Sequence, residues 1–507
     1  MVNSNLAYKD YATEIFQPII SKDILKWCSV SLSDVVSRGK RLEASVFDVE
    51  AKHARQVIKE GQYSTATICG KNGLATSYTC ARFKRIWVEK SELPIYQPST
   101  IVDIKPSPDG YISKLTQTDI DALRVHKGQI LMTCSGTIGK VSYVSETLDN
   151  KIFSHDLLRI NCNEPMDSGY IYTYLKSKLG NKILLTNSYG AVITHIEPEH
   201  LATVPIPNAP KEIKERIHNL IVKSYALRDE SNDLIDQATQ LLIDELHLPD
   251  IHDFDVKDYK KNAPVETFSV KLSNMNGRVD ASYHVPIVDA IVEHLKKYAE
   301  EVTTVGDRRI SSDVILPGRF KRVYVEKEYG VKFLGGKEMH QLDPTTEKYL
   351  SKKAHKKQLE GTLGIKDYSI LTPARGSLGD VVMPPKHFIN WAISDNMMQI
   401  LSYNNICGFV YVFLNTKYGN ALIQRFTYGG VVDAIEPDHI KQVEIPFLKN
   451  KETQKQINDL ALLANEKRYE AYKLEQEALR IMDDDSDFFI CHNIFAHVYK
   501  VLIIFHK

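Results

Sequence analysis

The sequence predicts an α+β fold in which two β-rich units are separated by a pair of long antiparallel coiled-coil helices and are related by an internal pseudo-twofold duplication. Two observations support this prediction. Four sequence motifs recur in the same order in the second half of the chain, 237 to 240 residues later. In addition, each half ends in a long stretch with heptad spacing of apolar and small residues.

The repeated motifs establish the duplication. The first two pairs are GKRLEASVF (39–47) with NGRVDASYH (276–284), and ARFKRIWVEK (81–90) with GRFKRVYVEK (318–327). The other two are ILMTCSGTIGKVSYV from Ile130 with ILTPARGSLGDVVMP from Ile370, and SYGAVITHIEPEHLATVPIP (188–207) with TYGGVVDAIEPDHIKQVEIP (427–446). One such match could arise by chance, but four in the same order indicate that one ancestral unit was duplicated.

Length and charge limit the kinds of protein this can be. A chain of 507 residues is longer than one hydrophobic core usually serves, so several domains are expected. Lys plus Arg and Asp plus Glu both total 64, which argues against a histone-like binder. Any nucleic acid must therefore be held by local basic patches.

The cysteines and the chain ends predict a cytoplasmic protein. The seven cysteines include no CxxC pair, which suits a reducing compartment. The segment MVNSNLAYKDYATEIF lacks the features of a secretory signal. The apolar tail FFICHNIFAHVYKVLIIFHK (488–507) is interrupted by His492, His497 and Lys500, so we do not expect it to insert into a membrane.

Each unit combines short strands with a few helices. In KGQILMTCSGTIGKVSYV, two β-rich runs flank a Ser-Gly-Thr-Ile-Gly turn, which predicts a hairpin. We expect positive φ at its glycines and their counterparts, namely Gly136, Gly139, Gly376 and Gly379. The segments GYIYTYLKSKLGNKILL and GFVYVFLNTKYGNALIQ carry helical apolar spacing.

The heptad stretches predict two helices of about 30 residues, each roughly 45 Å long. Small residues recur at matched seventh positions, and such residues let helices approach closely. The predicted helix-pair interface consists of Ile217, Leu220, Ser224, Leu227, Leu234, Ala238, Ile457, Leu460, Ala464, Ala471, Leu474 and Ala478. Lys467 interrupts the second seam, where we expect it to extend to solvent or to a polar partner. The alternative is that each helix lies on the surface of its own unit.

No catalytic or metal-binding set is apparent. CSGTIGKVS is not a P-loop, because the first Gly of that motif would fall at Cys134. Met383 in MPPK stands where an amino-methyltransferase loop places Asp or Asn before the paired prolines, so a methyl-transfer site is not supported. His195 and His200 lie near two glutamates, but the second copy retains only His439. We therefore expect this histidine cluster to be structural.

A duplicated chain without a catalytic set is most simply a two-headed binder. Period-2 geometry would place Arg82 and Lys84 on one face of a strand around Phe83. The candidate DNA-binding residues are Arg82, Lys84, Arg85, Ser135, Thr137, Lys140, Arg319, Lys321, Arg322, Lys352, Lys353, Arg375 and Ser377. For each basic cluster, the alternative is a solvated basic face.

Positions that differ between the copies are candidates for reading different half-sites. Three such pairs are Lys140 with Asp380, Ser135 with Arg375, and His155 with Asp395. Arginine can pair bidentately with guanine, so Ser135 and Arg375 would recognise different bases. The alternative is surface variation without a role.

The ordered combination of SGTIGKV, ITHIEPEHLATVPIP and a long heptad helix, all duplicated, resembles the specificity (S) subunit of type I restriction-modification systems. The resemblance covers roughly residues 29–482. It implies a non-catalytic DNA-recognition subunit with two target recognition domains, each contacting one half of a bipartite double-stranded DNA sequence. The alternatives are a DNA-binding adaptor of another methyltransferase-based phage-defence system and a protein-only scaffold.

The resemblance also implies the domain organisation and the partners. The expected segments are an N-terminal segment (1–28), target recognition domain 1 (29–210), spacer helix 1 (211–247), target recognition domain 2 (248–450), spacer helix 2 (451–482) and an atypical apolar tail (483–507). The expected partners are two adenine-methyltransferase (M) subunits and restriction/translocase (R) subunits. S-adenosylmethionine, ATP and Mg are expected on those partners, and no cofactor on this chain.

Overall fold

The structure is a computed structural model that describes residues 30–38, 40–190, 193–254, 267–275, 277–344 and 348–484. The expected N-terminal segment and nearly all of the apolar tail lie outside these residues. Within them, no helix is both long and apolar enough to cross a membrane.

Head 1 comprises the described residues before the first long helix. Its helices are α1 (Leu32–Ser37), α2 (Val49–Glu60), α3 (Pro165–Lys176) and α4 (Lys178–Leu185). Its strands are β1 (Thr65–Thr67), β2 (Ala75–Tyr78), β3 (Trp87–Val88), β4 (Pro94–Tyr96), β5 (Gly110–Ile112), β6 (Ile130–Thr133), β7 (Val141–Tyr143), β8 (Ile152–Phe153), β9 (Leu157–Cys162) and β10 (Pro205–Pro207). They form sheets of order β2-β9-β6-β7, β3-β5-β4-β8 and β1-β10. The long helix α5 (Lys211–Glu245) follows.

Head 2 comprises the described residues between α5 and the second long helix. Its helices are α6 (Pro286–Tyr298), α7 (Lys356–Gln358), α8 (Cys407–Leu414), α9 (Lys417–Gln424) and α10 (Pro437–Ile440). Its strands are β11 (Glu301–Thr304), β12 (Ser311–Ile315), β13 (Gly330–Leu334), β14 (Tyr349–Ser351), β15 (Ser369–Pro373), β16 (Ala392–Ile393), β17 (Met397–Ser402) and β18 (Glu444–Phe447). The sheets are β12-β17-β15, β14-β13-β16 and β11-β18. The long helix α11 (Lys451–Asp484) follows.

The duplication is visible in the sheet topology. In head 1, β9 lies between β2 and β6 with antiparallel register, and β17 lies in the same way between β12 and β15 in head 2. A parallel pair, β4 with β8, has its counterpart in β13 with β16. The fold class predicted from the repeated motifs is therefore confirmed.

The two long helices form an antiparallel pair, as predicted. Ser224 Oγ donates a hydrogen bond to the Ala471 carbonyl at 2.7 Å. Nearer the start of α5, Arg216 pairs with Glu477 at 3.6 Å. Residue numbers thus rise along α5 as they fall along α11, and the alternative of two separately docked surface helices is wrong.

Small residues line the seam between α5 and α11. The matched positions Ser224, Ser231, Ala238, Ala464, Ala471 and Ala478 are all fully buried. Lys467, which interrupts the heptad pattern, reaches Glu230 on α5 at 2.9 Å. It therefore makes a polar contact at the edge of the seam.

Each head has its own hydrophobic core, which continues into the nearer half of the helix pair. The head 1 core includes Ile217 of α5 and Ala478 of α11. The head 2 core includes Ala238 of α5 and Ile457 of α11. These two pairs are equivalent under the duplication, so the helix pair follows the pseudo-twofold symmetry of the chain.

The heads also meet each other directly, beside the helix pair. The Ile104 N–H donates to the His340 carbonyl at 2.9 Å, and Asp103 forms a backbone bridge with Gln341. Ile104 and Leu342 cover Leu227 and Ala471 at the middle of the helix pair. Asp103 and Gln341 occupy equivalent positions in the two units, so this contact lies on the pseudo-twofold axis.

Candidate nucleic-acid interface

The SGTIG hairpin positions the first group of candidate residues. It joins β6 and β7, whose backbones pair from Ile130 with Tyr143 to Met132 with Val141. Its glycines have the predicted positive φ, 71° at Gly136 and 81° at Gly139. In head 2, Gly376 and Gly379 have φ of 91° and 94°. Both heads therefore present this turn with the same backbone shape.

A second loop lies against each hairpin. In head 1, the Gly136 N–H donates to the Thr194 carbonyl at 3.0 Å, and Ser135 Oγ lies 3.0 Å from His195 Nδ1. In head 2, Arg375 forms a backbone bridge with Ala434. Thr137 and Ser377 are exposed at the hairpin tips, whereas Ser135 and Arg375 are half-buried at their bases.

The basic segment before β3 is not a strand. This corrects the prediction that Arg82 and Lys84 lie on one face of a strand. Residues 79–86 have no ladder partner, and β3 begins only at Trp87. Phe83 packs edge-on against His155 with ring centroids 5.4 Å apart. The Arg85 guanidinium lies 5.8 Å from the Phe83 ring and 5.9 Å from the Trp87 ring. Aromatic contacts, rather than sheet pairing, hold Arg85 in place.

The remaining basic residues of these segments face solvent. Arg82 and Lys84 are exposed in head 1, and Arg319, Lys321, Lys352 and Lys353 are exposed in head 2. The last two follow Ser351 and precede His355, whose ring packs edge-on against Phe320 at 5.2 Å. The structure thus brings Lys352 and Lys353 close to the segment that contains Arg319 and Lys321.

The equivalent arginines Arg85 in head 1 and Arg322 in head 2 have different charged neighbours. Arg322 pairs with Asp395 at 2.6 Å. In head 1 the position of Asp395 is taken by His155. Burial lowers the pKa of His155, and Arg85 and Arg82 lower it further, although Asp156 raises it. Head 1 also has one carboxylate here, but it belongs to Asp156, which lies 3.4 Å from His155. The two heads therefore differ in where this carboxylate lies rather than in net charge.

Lys140 lies beside the contact between the heads. Burial raises the pKa of Asp103 to about 6, and the charges of His340 and Lys140 oppose that rise. His340 in turn lies 3.5 Å from Asp380, the residue equivalent to Lys140. Lys140 and Asp380 are thus placed to affect how the heads meet, in addition to any contact with a ligand.

The predicted helix-pair residues fall into two groups. Those that are fully or almost fully buried are Ile217, Ser224, Leu227, Ala238, Ile457, Ala464, Ala471 and Ala478. Leu220, Leu234, Leu460 and Leu474 are half-buried at its edges.

The heptad pattern missed a buried ionic cluster at the middle of the helix pair. Glu475 is fully buried, 2.7 Å from Arg228 and 2.9 Å from Lys176. Lys176 also pairs with Asp343 at 3.1 Å. This cluster joins both heads to both long helices.

The histidines near Glu197 have structural partners. His200 Nδ1 accepts the Glu197 N–H at 2.9 Å and caps a short helical turn. His439 accepts the Glu436 N–H in the same way at 3.3 Å. Among the described residues, no group of three or more His, Cys, Asp or Glu side chains could hold a metal ion.

The fold and these surfaces define a class of protein: a duplicated chain with two equivalent heads on one antiparallel helix pair. Residues 75–235 match the family model described as the type I restriction modification DNA specificity domain. This match agrees with the resemblance to type I restriction-modification specificity (S) subunits found in the sequence.

Comparisons with solved structures give low similarity scores. A type I restriction-modification S subunit from M. genitalium is 15% identical with a TM-score of 0.34, and the alignment covers 84% of this chain and 97% of that one. The HsdS subunit from Thermoanaerobacter tengcongensis is 12% identical with a TM-score of 0.25, covering 83% and 98%. A chain from a type I R-M system studied for complex assembly and conformational transition is 14% identical with a TM-score of 0.25, covering 84% and 98%. No curated protein matches the sequence.

Proposed function

We propose that this chain recognises a bipartite double-stranded DNA target, with one head on each half-site, and performs no catalysis itself. The observation that carries the proposal is the duplicated surface. Each head presents a glycine hairpin of the same shape beside an exposed basic segment. Two equivalent surfaces related by a pseudo-twofold axis suit two half-sites at a set spacing.

The helix pair and the contact between the heads together set that spacing. Neither head can shift along the helices without breaking the Ile104–His340 hydrogen bond and exposing Leu227. Within this proposal, residues 29–210 and 248–450 are the two target recognition domains, and residues 211–247 and 451–482 are the spacer helices.

We further infer that the chain recruits two adenine-methyltransferase subunits and restriction/translocase subunits. S-adenosylmethionine, ATP and Mg would be bound by those partners.

Two substitutions in head 2 distinguish base reading from phosphate contact. Arg375 Nη1 donates to Asn396 Oδ1 at 3.1 Å, which orients the guanidinium at the hairpin. We expect Arg375→Ser to cost about 1–3 kcal/mol at one base pair of one half-site and to leave the other half-site unchanged. Lys353→Ala is the control. Removal of an exposed lysine that contacts a phosphate should weaken binding to all sequences alike and lower the salt slope by about one.

The measurement is the binding of a panel of duplexes by the chain in complex with its methyltransferase partner, at several salt concentrations. Equal weakening of all sequences by Arg375→Ser would remove this residue from base recognition. Absence of any sequence preference in the unmodified complex would overturn the proposed function itself.

A further inference from the structure

A tight loop in each head ends in apolar side chains that face solvent. In head 2 the loop spans residues 428–434 and is closed by Tyr428 and Ala434, which exchange backbone hydrogen bonds of 3.0 and 2.8 Å. Gly429 has φ of 117°, and a Cβ at this position would overlap the Val432 carbonyl oxygen. Only glycine fits there, so the loop has a defined shape.

The tip of this loop carries exposed β-branched side chains. Val431 is 100% exposed and Val432 is 57% exposed. In head 1, Ile193 in the equivalent loop is 56% exposed, and Gly190 has φ of 105°. Apolar side chains in full contact with water contribute nothing to the core. These side chains are therefore available to a partner surface in both heads.

The first repeated motif of the sequence explains how the loop base is held. Arg278 Nη2 donates to the Thr427 carbonyl at 3.1 Å, and Arg278 pairs with Asp280 at 2.6 Å. In head 1, Arg41 donates to the Ser188 carbonyl at 2.7 Å and pairs with Glu43 at 3.0 Å. GKRLEASVF and NGRVDASYH thus supply an equivalent arginine clamp immediately before each loop.

The apolar tips lie among the candidate DNA-binding residues. Ala434, at the end of the head 2 loop, forms its backbone bridge with Arg375 of the hairpin. In head 1, Thr194 accepts the N–H of Gly136 in the hairpin. The positive charge of Arg82 also acts on Tyr189, which begins the head 1 loop. The tips are therefore continuous with a basic surface, which favours DNA as the occupant.

We propose that Val431 and Val432 in head 2, and Ile193 in head 1, enter the major groove and contact the methyl groups of thymines in the half-sites. The contact deepens the proposed function and rests on it. In the major groove the C5 methyl is the apolar feature that distinguishes thymine, and apolar side chains recognise it. A short β-branched side chain on a rigid loop suits this contact, since little conformational freedom is lost on binding.

The test compares target duplexes that contain thymine with duplexes of the same sequence that contain deoxyuridine, which lacks only the methyl group. We expect the unmodified complex with methyltransferase to bind the deoxyuridine duplex about three- to tenfold more weakly. The double variant Val431→Ser, Val432→Ser should bind the thymine duplex about as weakly. For this variant the penalty for deoxyuridine in the half-site read by head 2 should disappear.

Leu272→Ser is the matched control, because Leu272 is also an exposed apolar side chain of head 2, at 85%, and lies outside the motif that clamps the loop. It should keep the full deoxyuridine penalty, and the thermal midpoints of both variants should equal that of the unmodified chain. The proposal is overturned if deoxyuridine has no effect, or if its effect in the half-site read by head 2 persists in the double variant. It is also overturned if the double variant loses only assembly with the methyltransferase, since the tips would then dock protein. Failure of the proposed function would appear differently, as a lack of sequence preference in the unmodified complex.

Discussion

Replacement of Glu475 by glutamine is expected to lower the free energy of unfolding by about 3–5 kcal/mol. Glu475 is fully buried and is the shared partner of Arg228 and Lys176, and it also accepts a hydrogen bond from the Tyr172 hydroxyl. Burial would raise the pKa of Glu475, but the two cations hold it below its usual value. The amide would leave both cations buried without a full counter-charge.

The effect should extend beyond the helix pair, because the cluster joins the two heads. Lys176 belongs to α3 of head 1, and it also pairs with Asp343 of head 2. Glu477→Gln is the matched control: this side chain is 37% exposed and pairs with Arg480 and Arg216, so its loss should cost about 1 kcal/mol or less. Urea denaturation of both variants measures the change in the free energy of unfolding. Equal destabilisation by the two substitutions would contradict a structural role for the buried cluster.

Replacement of Gly408 by alanine is expected to destabilise the docking of head 2 on the helix pair by about 3 kcal/mol or more. Gly408 lies in the first turn of α8, where it faces α11. A Cβ here would overlap the Asn458 carbonyl oxygen and lie 3.0 Å from the Ala461 Cβ. Asn458 Oδ1 also accepts the Gly408 N–H at 2.9 Å. An added methyl group would separate the helices and break this bond.

The equivalent glycine in head 1 makes the same close approach. A Cβ at Gly169 would lie 2.6 Å from the Cα of His218, the residue equivalent to Asn458. Gly169→Ala should therefore destabilise head 1 to a similar extent. Gly336→Ala is the control, since a Cβ there meets no atom within 4 Å. Thermal unfolding measures all three variants, and a midpoint for Gly408→Ala equal to that of Gly336→Ala would contradict the close helix contact.

The features that sequence predicted well are those with a repeating geometric cause. The 240-residue offset between Ser224 and Ala464 predicted matched seams, because small residues at seventh positions lie on one helix face. The positive φ at Gly136 and Gly376 followed from the turn chemistry of a short hairpin. Local periodicity and turn residues act over a few positions, so they can be recognised without the tertiary fold.

The prediction that the basic segments are strands was wrong. Alternating side chains do not by themselves provide a neighbouring strand with which the backbone can pair. Arg82, Phe83 and Lys84 alternate as strand residues would, yet sheet pairing starts only at Trp87 and Val88, opposite β5. A strand requires a neighbouring backbone, and the sequence of the segment alone does not reveal one. The exposed side chains remain candidates for phosphate contact despite this correction.

The buried ionic cluster and the contact between the heads depend on residues far apart in the chain. Glu475 lies opposite Arg228, 247 positions away, and a search for apolar heptads passes over both. One signal was present: under the duplication Glu475 corresponds to Ile235, a buried apolar residue. A charge that replaces an apolar residue at an equivalent buried position indicates a partner that only one unit possesses.

Mapping methylated adenines in the DNA of a host that expresses this chain with its methyltransferase and restriction partners tests the two-headed arrangement most directly. Two heads fixed on one helix pair predict a split recognition sequence, with two specific parts separated by a gap of constant length. A continuous recognition sequence, or a gap that varies between sites, would contradict it.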